Sequence, residues 1–90
     1  MLKIPIEDFI EEIKAEIMSY EELGEKKALE WEKNFISLIH EKDKLIKNIE
    51  EENGKKYYCL EDESELFRIV DMYLAAVDSG EEKEYWERWI

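Results

Sequence analysis

Leu45-Ile46-Lys47-Asn48-Ile49-Glu50-Glu51-Glu52-Asn53-Gly54-Lys55-Lys56-Tyr57-Tyr58-Cys59-Leu60 is the stretch on which the fold turns, because its two halves obey different periodicities. Upstream, Ala28, Trp31, Phe35, Leu38, Leu45 and Ile49 fall on one helical stripe, which Ile39 and Ile46 widen and Lys42 alone interrupts. That spacing predicts a second helix over about 25–52, roughly 40 Å long at 1.5 Å per residue. Downstream, Asn53-Gly54 is a two-residue turn signal, and Tyr57, Tyr58 and Cys59 have strand-like composition. A hairpin is therefore the rival over 45–52, pairing Glu52 with Lys55, Glu51 with Lys56 and Ile49 with Tyr58. The continuing apolar stripe and the weak strand propensity of Lys, Asn and Glu favour the helix.

On the N-terminal side, Ile6, Phe9, Ile10, Ile13, Ile17 and Tyr20 recur at steps of three and four, with Pro5 suited to a first helical position and Gly24 to a stop. A helix over 5–23 is predicted. On the C-terminal side, Asp62 followed three residues later by Glu65 resembles a capping box ahead of Leu66, Phe67, Ile69, Val70, Tyr73, Leu74 and Val77. Ser79-Gly80 stops that helix, and Ser79 with Glu82 is read as the cap of a last one. The expected fold is all-α: one domain, 1–90, with helices near 5–23, 25–52, 62–79 and 81–90 and an irregular or briefly extended segment over 54–61.

Composition narrows the function classes. The chain has 90 residues, with 25 acids against 13 bases, a net charge of −12. Such a balance disfavours direct binding to nucleic acid, whose attraction for proteins is chiefly cationic. The single Cys59 allows no internal disulfide, which points to a reducing compartment, and no run of 18 apolar residues suggests a membrane span. A cytoplasmic location is expected.

Residues suited to catalysis are sparse. His40 lies on the helix face opposite Trp31, Leu45 and Ile49, and His40-Glu41 does not extend to the His-Glu-x-x-His zinc spacing. Cys59 has no Cys or His close in sequence. Glu11, Glu12 and Glu16 on an acidic helix faintly resemble the magnesium-dependent nucleotide pyrophosphohydrolases of the MazG type, which converge carboxylates on a metal. The second half of that pattern, a Glu and an Asp three apart on the next helix, is missing, since Lys33 follows Glu30 and Lys44 follows Glu41. No catalytic residue, metal or cofactor is therefore expected.

What remains is charge and aromatic surface, with nearly all of the acid excess at the two ends of the chain. A non-enzymatic binding protein is the expectation, an inhibitor occupying a basic surface of a nuclease or another nucleic-acid-handling protein. Small acidic inhibitors of phage or mobile-element origin, several anti-CRISPR proteins and nuclease immunity proteins among them, act this way as a class, although no motif here identifies one. The expected partner-binding residues are Asp78, Glu81, Glu82, Glu84 and Glu87 for charge, with Trp86 and Trp89 as aromatic anchors. The alternative is a structural or adaptor homodimer pairing through Trp31, Phe35, Leu38 and Leu45 of the second helix.

Overall fold

In the computed structural model, which describes residues 2–41 and 48–88, the chain runs β1 (Leu2–Pro5), α1 (Ile6–Ser19), α2 (Gly24–Glu41), β2 (Ile49–Glu52), β3 (Lys55–Leu60), α3 (Ser64–Ser79) and α4 (Glu82–Arg88). The three strands form an antiparallel sheet in the order β1-β3-β2. The fold is α+β, and the expected all-α bundle is corrected on that point.

Two local effects account for the correction. Asn53 and Gly54 both have positive φ, 51° and 77°, the backbone of a tight hairpin turn that matches strand twist. The register is the hairpin alternative named above: Glu52 opposite Lys55, Glu51 opposite Lys56 and Ile49 opposite Tyr58. Helix α2 accordingly ends at Glu41 among the described residues, and the expected helical continuation through Leu45 lies outside them. Ile49 misled because a lone apolar residue satisfies a period of 3.6 and a period of 2 equally well.

At the other end, Leu2–Pro5 forms a strand that the sequence pattern does not predict, and it takes in Pro5, expected at the first position of a helix. The Cys59 N–H donates to the Asn48 carbonyl at 2.7 Å, so Cys59 turns its backbone groups toward β2. Alternation along β3 then aims Tyr58 and Leu60 at their partners Ile4 and Leu2, which leaves Lys3 and Pro5 facing the open edge of β1. Pro5 lacks an N–H where none is needed, and it hands the chain directly to α1.

Other boundaries shift for identifiable reasons. Helix α1 stops at Ser19, short of Gly24. The Glu65 carboxylate accepts the Glu61 N–H at 2.7 Å rather than that of Asp62, and α3 starts at Ser64. Gly80, at φ 75°, closes α3 as expected, its N–H and that of Glu81 returning to the carbonyls of the last turn. Ser79 bonds back to the Ala75 carbonyl at 2.9 Å instead of capping α4.

One face of the sheet packs on α1, and α2 and α3 flank α1. Phe9 stacks on Tyr58 with ring centroids 4.0 Å apart, and Trp31 stacks on Phe35 at 4.9 Å. Short α4 closes the other end of this core, where Tyr85 and Trp86 meet Tyr73 and Trp31. Burying that many rings, each worth a few kcal/mol of transfer free energy, lets four- to six-residue strands persist in so small a protein. No helix among the described residues is long and apolar enough to cross a membrane.

Candidate functional site

A groove of about 490 Å³ opens between β1, α1 and the start of α3. Leu2 and Ile4 from β1, Leu60 from β3, Ala15 from α1 and Leu66 and Phe67 from α3 supply its apolar lining. Leu2 and Phe67 remain 41% and 50% exposed, so the groove is an apolar surface left open to water. An apolar patch of this kind, rimmed by polar groups, is a candidate docking surface.

Three carboxylates rim it. Glu12 and Glu16 stand one turn apart on α1, and Glu63 precedes α3. Among the described residues none of the three has a basic group within 4 Å, whereas the neighbouring Glu11 pairs with Lys14 at 3.7 Å. The nearby cations are committed elsewhere. Arg68 leans on Asp62 at 4.0 Å, and Ser64 donates to the same Asp62 carboxylate, holding it below the usual range. Lys3 also lines the groove, but its ammonium lies at the outer sheet face, 2.9 Å from Glu50 and 2.6 Å from Glu52. Those hydrogen bonds raise the Lys3 ammonium above its ordinary range and depress Glu50. The groove keeps its negative rim uncompensated.

The expected site residues have mixed placements. Asp78, Glu81, Glu84 and Glu87 are exposed, and Glu81 and Glu84 border a cleft of only about 120 Å³ beside Met72 and Arg88. Glu82 is half-buried and faces Lys27 at 3.4 Å, tying α4 to α2. Burial pulls the Lys27 ammonium down, but Glu30 and Glu82 together carry it above its usual value. Trp86 is half-buried among Trp31, Tyr73 and Tyr85, so its ring is spent largely inside the molecule. Trp89 lies outside the described residues.

Of the dimer stripe, Trp31 and Phe35 are 0% exposed and covered by this chain's own α1, β3 and α4, which takes them out of any intermolecular seam. Leu38 is half-buried against the same core, and Leu45 is outside the described residues. The apolar residues that α2 does expose are Leu29 and Ile36, with Lys33 between them.

His40 is exposed, and among the described residues no three His, Cys, Asp or Glu side chains come together as a metal-holding group. Cys59 is buried on the outer sheet side beneath Lys3 and Glu50, and burial pushes its thiol above the ordinary range. The sequence reading missed the groove because β1 was not foreseen. Its one signal was the alternation Leu2-Lys3-Ile4 ahead of Pro5, too short to register as a strand. No protein-family model, curated protein or solved structure matches the chain.

Proposed function

We propose that the protein is a non-enzymatic binding module whose groove seats a basic segment of another protein. The partner class is a nuclease or other nucleic-acid-handling protein, and the mode is inhibition by occupying its basic surface. The observation that supports this reading is the coincidence of half-exposed Leu2 and Phe67 with Glu12, Glu16 and Glu63, three acids without a basic partner among the described residues. Apolar contact supplies residence time, and the rim acids with the net charge of −12 speed encounter with a cationic surface. Surfaces built to hold phosphate are cationic by necessity, which makes them natural counterparts.

The test is an amide-shift titration of the labelled protein with nona-arginine at about 0.15 M salt, where long-range attraction is screened beyond about 8 Å. The largest shifts are expected at Glu12, Glu16, Glu63 and Phe67, and Glu12→Lys with Glu16→Lys should abolish them. Shifts centred on Glu81, Glu84 and Glu87, or none at all, would overturn the reading.

A further inference from the structure

The groove is lined by Leu2, Lys3 and Ile4, three consecutive residues whose side chains alternate between the two faces of the sheet. β1 is an outer strand of the sheet, so the strand that supplies Leu2, Lys3 and Ile4 to the groove has a free edge on its side away from β3. The register and the Cys59-to-Asn48 hydrogen bond place the Lys3 N–H and C=O, and the Pro5 C=O, on that same side.

The two edges of the sheet are not equivalent. On β2, Glu50, Glu51 and Glu52 stand in succession, a charged edge of the kind that discourages further pairing. On β1 the only charged side chain is Lys3, whose ammonium is held by Glu50 and Glu52.

We infer that the partner segment docks as a short extended strand on the free edge of β1, centred on the Lys3 backbone. This rests on the groove reading above and specifies the occupant: a segment with alternate apolar residues flanked by Arg or Lys. The residue opposite Lys3 exchanges two backbone hydrogen bonds with it. Its neighbours on either side face inward, onto Leu2, Leu66 and Phe67. Basic residues one step further along the same face lay their stems over this apolar floor and reach Glu12, Glu16 and Glu63 with their charges. Pro5 offers no N–H, which limits the pairing to this short span and leaves most of the selectivity to the groove. A second copy of this chain is a poor occupant, because it is itself strongly acidic and its β1 offers one cation already engaged.

The experiment uses the blocked heptapeptide Arg-Thr-Val-Thr-Val-Thr-Arg, whose Arg and Val residues share one strand face. Its controls are the same peptide N-methylated at the central Thr, and nona-arginine. Binding of the parent is expected to slow exchange of the Lys3 amide, and N-methylation to weaken binding about tenfold by removing a backbone donor. Equal binding of the N-methylated peptide, or an unprotected Lys3 amide in the complex, would overturn strand addition. If nona-arginine shifts Glu12 and Glu16 while the heptapeptide does not bind, the strand mode falls and the groove reading stands. If neither binds, both fall. A dimeric mass by light scattering without peptide, lost on adding it, would assign the edge to a second copy and overturn the inference.

Discussion

The Trp31 indole N–H donates to the Tyr85 hydroxyl at 3.0 Å in the buried centre of the molecule, and that hydroxyl donates in turn to the Ile69 carbonyl at 3.4 Å. One oxygen thus ties α2, α3 and α4 together across 54 residues of chain. Tyr85→Phe keeps the ring, which packs 5.2 Å from Tyr73, and removes both hydrogen bonds. The expected loss is about 1–3 kcal/mol, the cost of taking a partner from buried polar groups. Thermal unfolding followed by circular dichroism measures it. An unchanged midpoint would mean that α4 is not held through this oxygen.

Trp86 stands in the same cluster, 5.7 Å from Trp31 and 5.0 Å from Tyr85 between ring centroids. Trp86→Ala should destabilise by about 2–4 kcal/mol, near the range for deleting a core aromatic and reduced by its partial exposure. Reversing the exposed Glu81, Glu84 and Glu87 to Lys should leave stability within about 0.5 kcal/mol, as for surface positions generally. The pair of measurements separates a packed helix from a detachable charged arm. Large destabilisation by the charge reversal, or none by the Trp truncation, would contradict the packing described for α4.

The hairpin turn offers a cleaner backbone test. Gly54 has φ 77°, and a Cβ built there meets nothing within 4 Å, so Gly54→Ala changes conformational preference without a clash. The left-handed backbone costs an L-residue about 1–2 kcal/mol, whereas D-Ala at the same position should be neutral or stabilising. Chemical synthesis of both variants and comparison of their unfolding midpoints reads this difference. Were residue 54 in a helix instead, L-Ala would stabilise and the order would reverse.

Phe9, Ile13, Ile17, Ile69, Val70 and Tyr73 were legible as core because the helices that carry them are long enough for the 3.6-residue period to repeat three or four times. The strands were not, for the opposite reason. β1 spans four residues and β2 reads Ile-Glu-Glu-Glu, so neither shows an alternation that propensity or pattern could distinguish from a helix end. What makes them strands is non-local: β3 lies between them and contributes Tyr58 and Leu60 to the core, and the Asn53-Gly54 turn fixes the register. The groove inherits this difficulty, since it exists only where β1, from one end of the chain, meets α3, from the other. Trp86 was legible as an aromatic but not as packed, because its burial depends on Trp31 and Tyr73 on two other helices.

Lys3 binds Glu50 and Glu52 across β3 and so clamps the two edge strands on the outer face of the sheet. The hydrogen bond donated by Lys3 is the main cause of the depressed Glu50 carboxyl, and the bonds that Lys3 donates to Glu52 and Glu50 raise its ammonium. A carboxyl depressed in the folded state contributes stability above its unfolded value, about pH 4.3 for Glu, and loses it as the pH falls through the lower folded value. The raised ammonium acts at the other end of the scale: its contribution is complete below the ordinary lysine value of about 10.4 and disappears as the pH climbs through the folded one. In Lys3→Met the clamp is absent at every pH. The midpoint difference between wild type and this variant should therefore be flat from about pH 5 to 9 and shrink as the pH falls below the unfolded Glu value of about 4.3 and on through the lower folded one. Because all three groups are well exposed, the same difference should also shrink with added salt. Unfolding midpoints from pH 3 to 9, at low and high salt, give the comparison. Taking the difference cancels the general relief of negative charge that acid brings to so acidic a chain, and two curves that stay parallel down to pH 3 would leave the clamp without energetic weight.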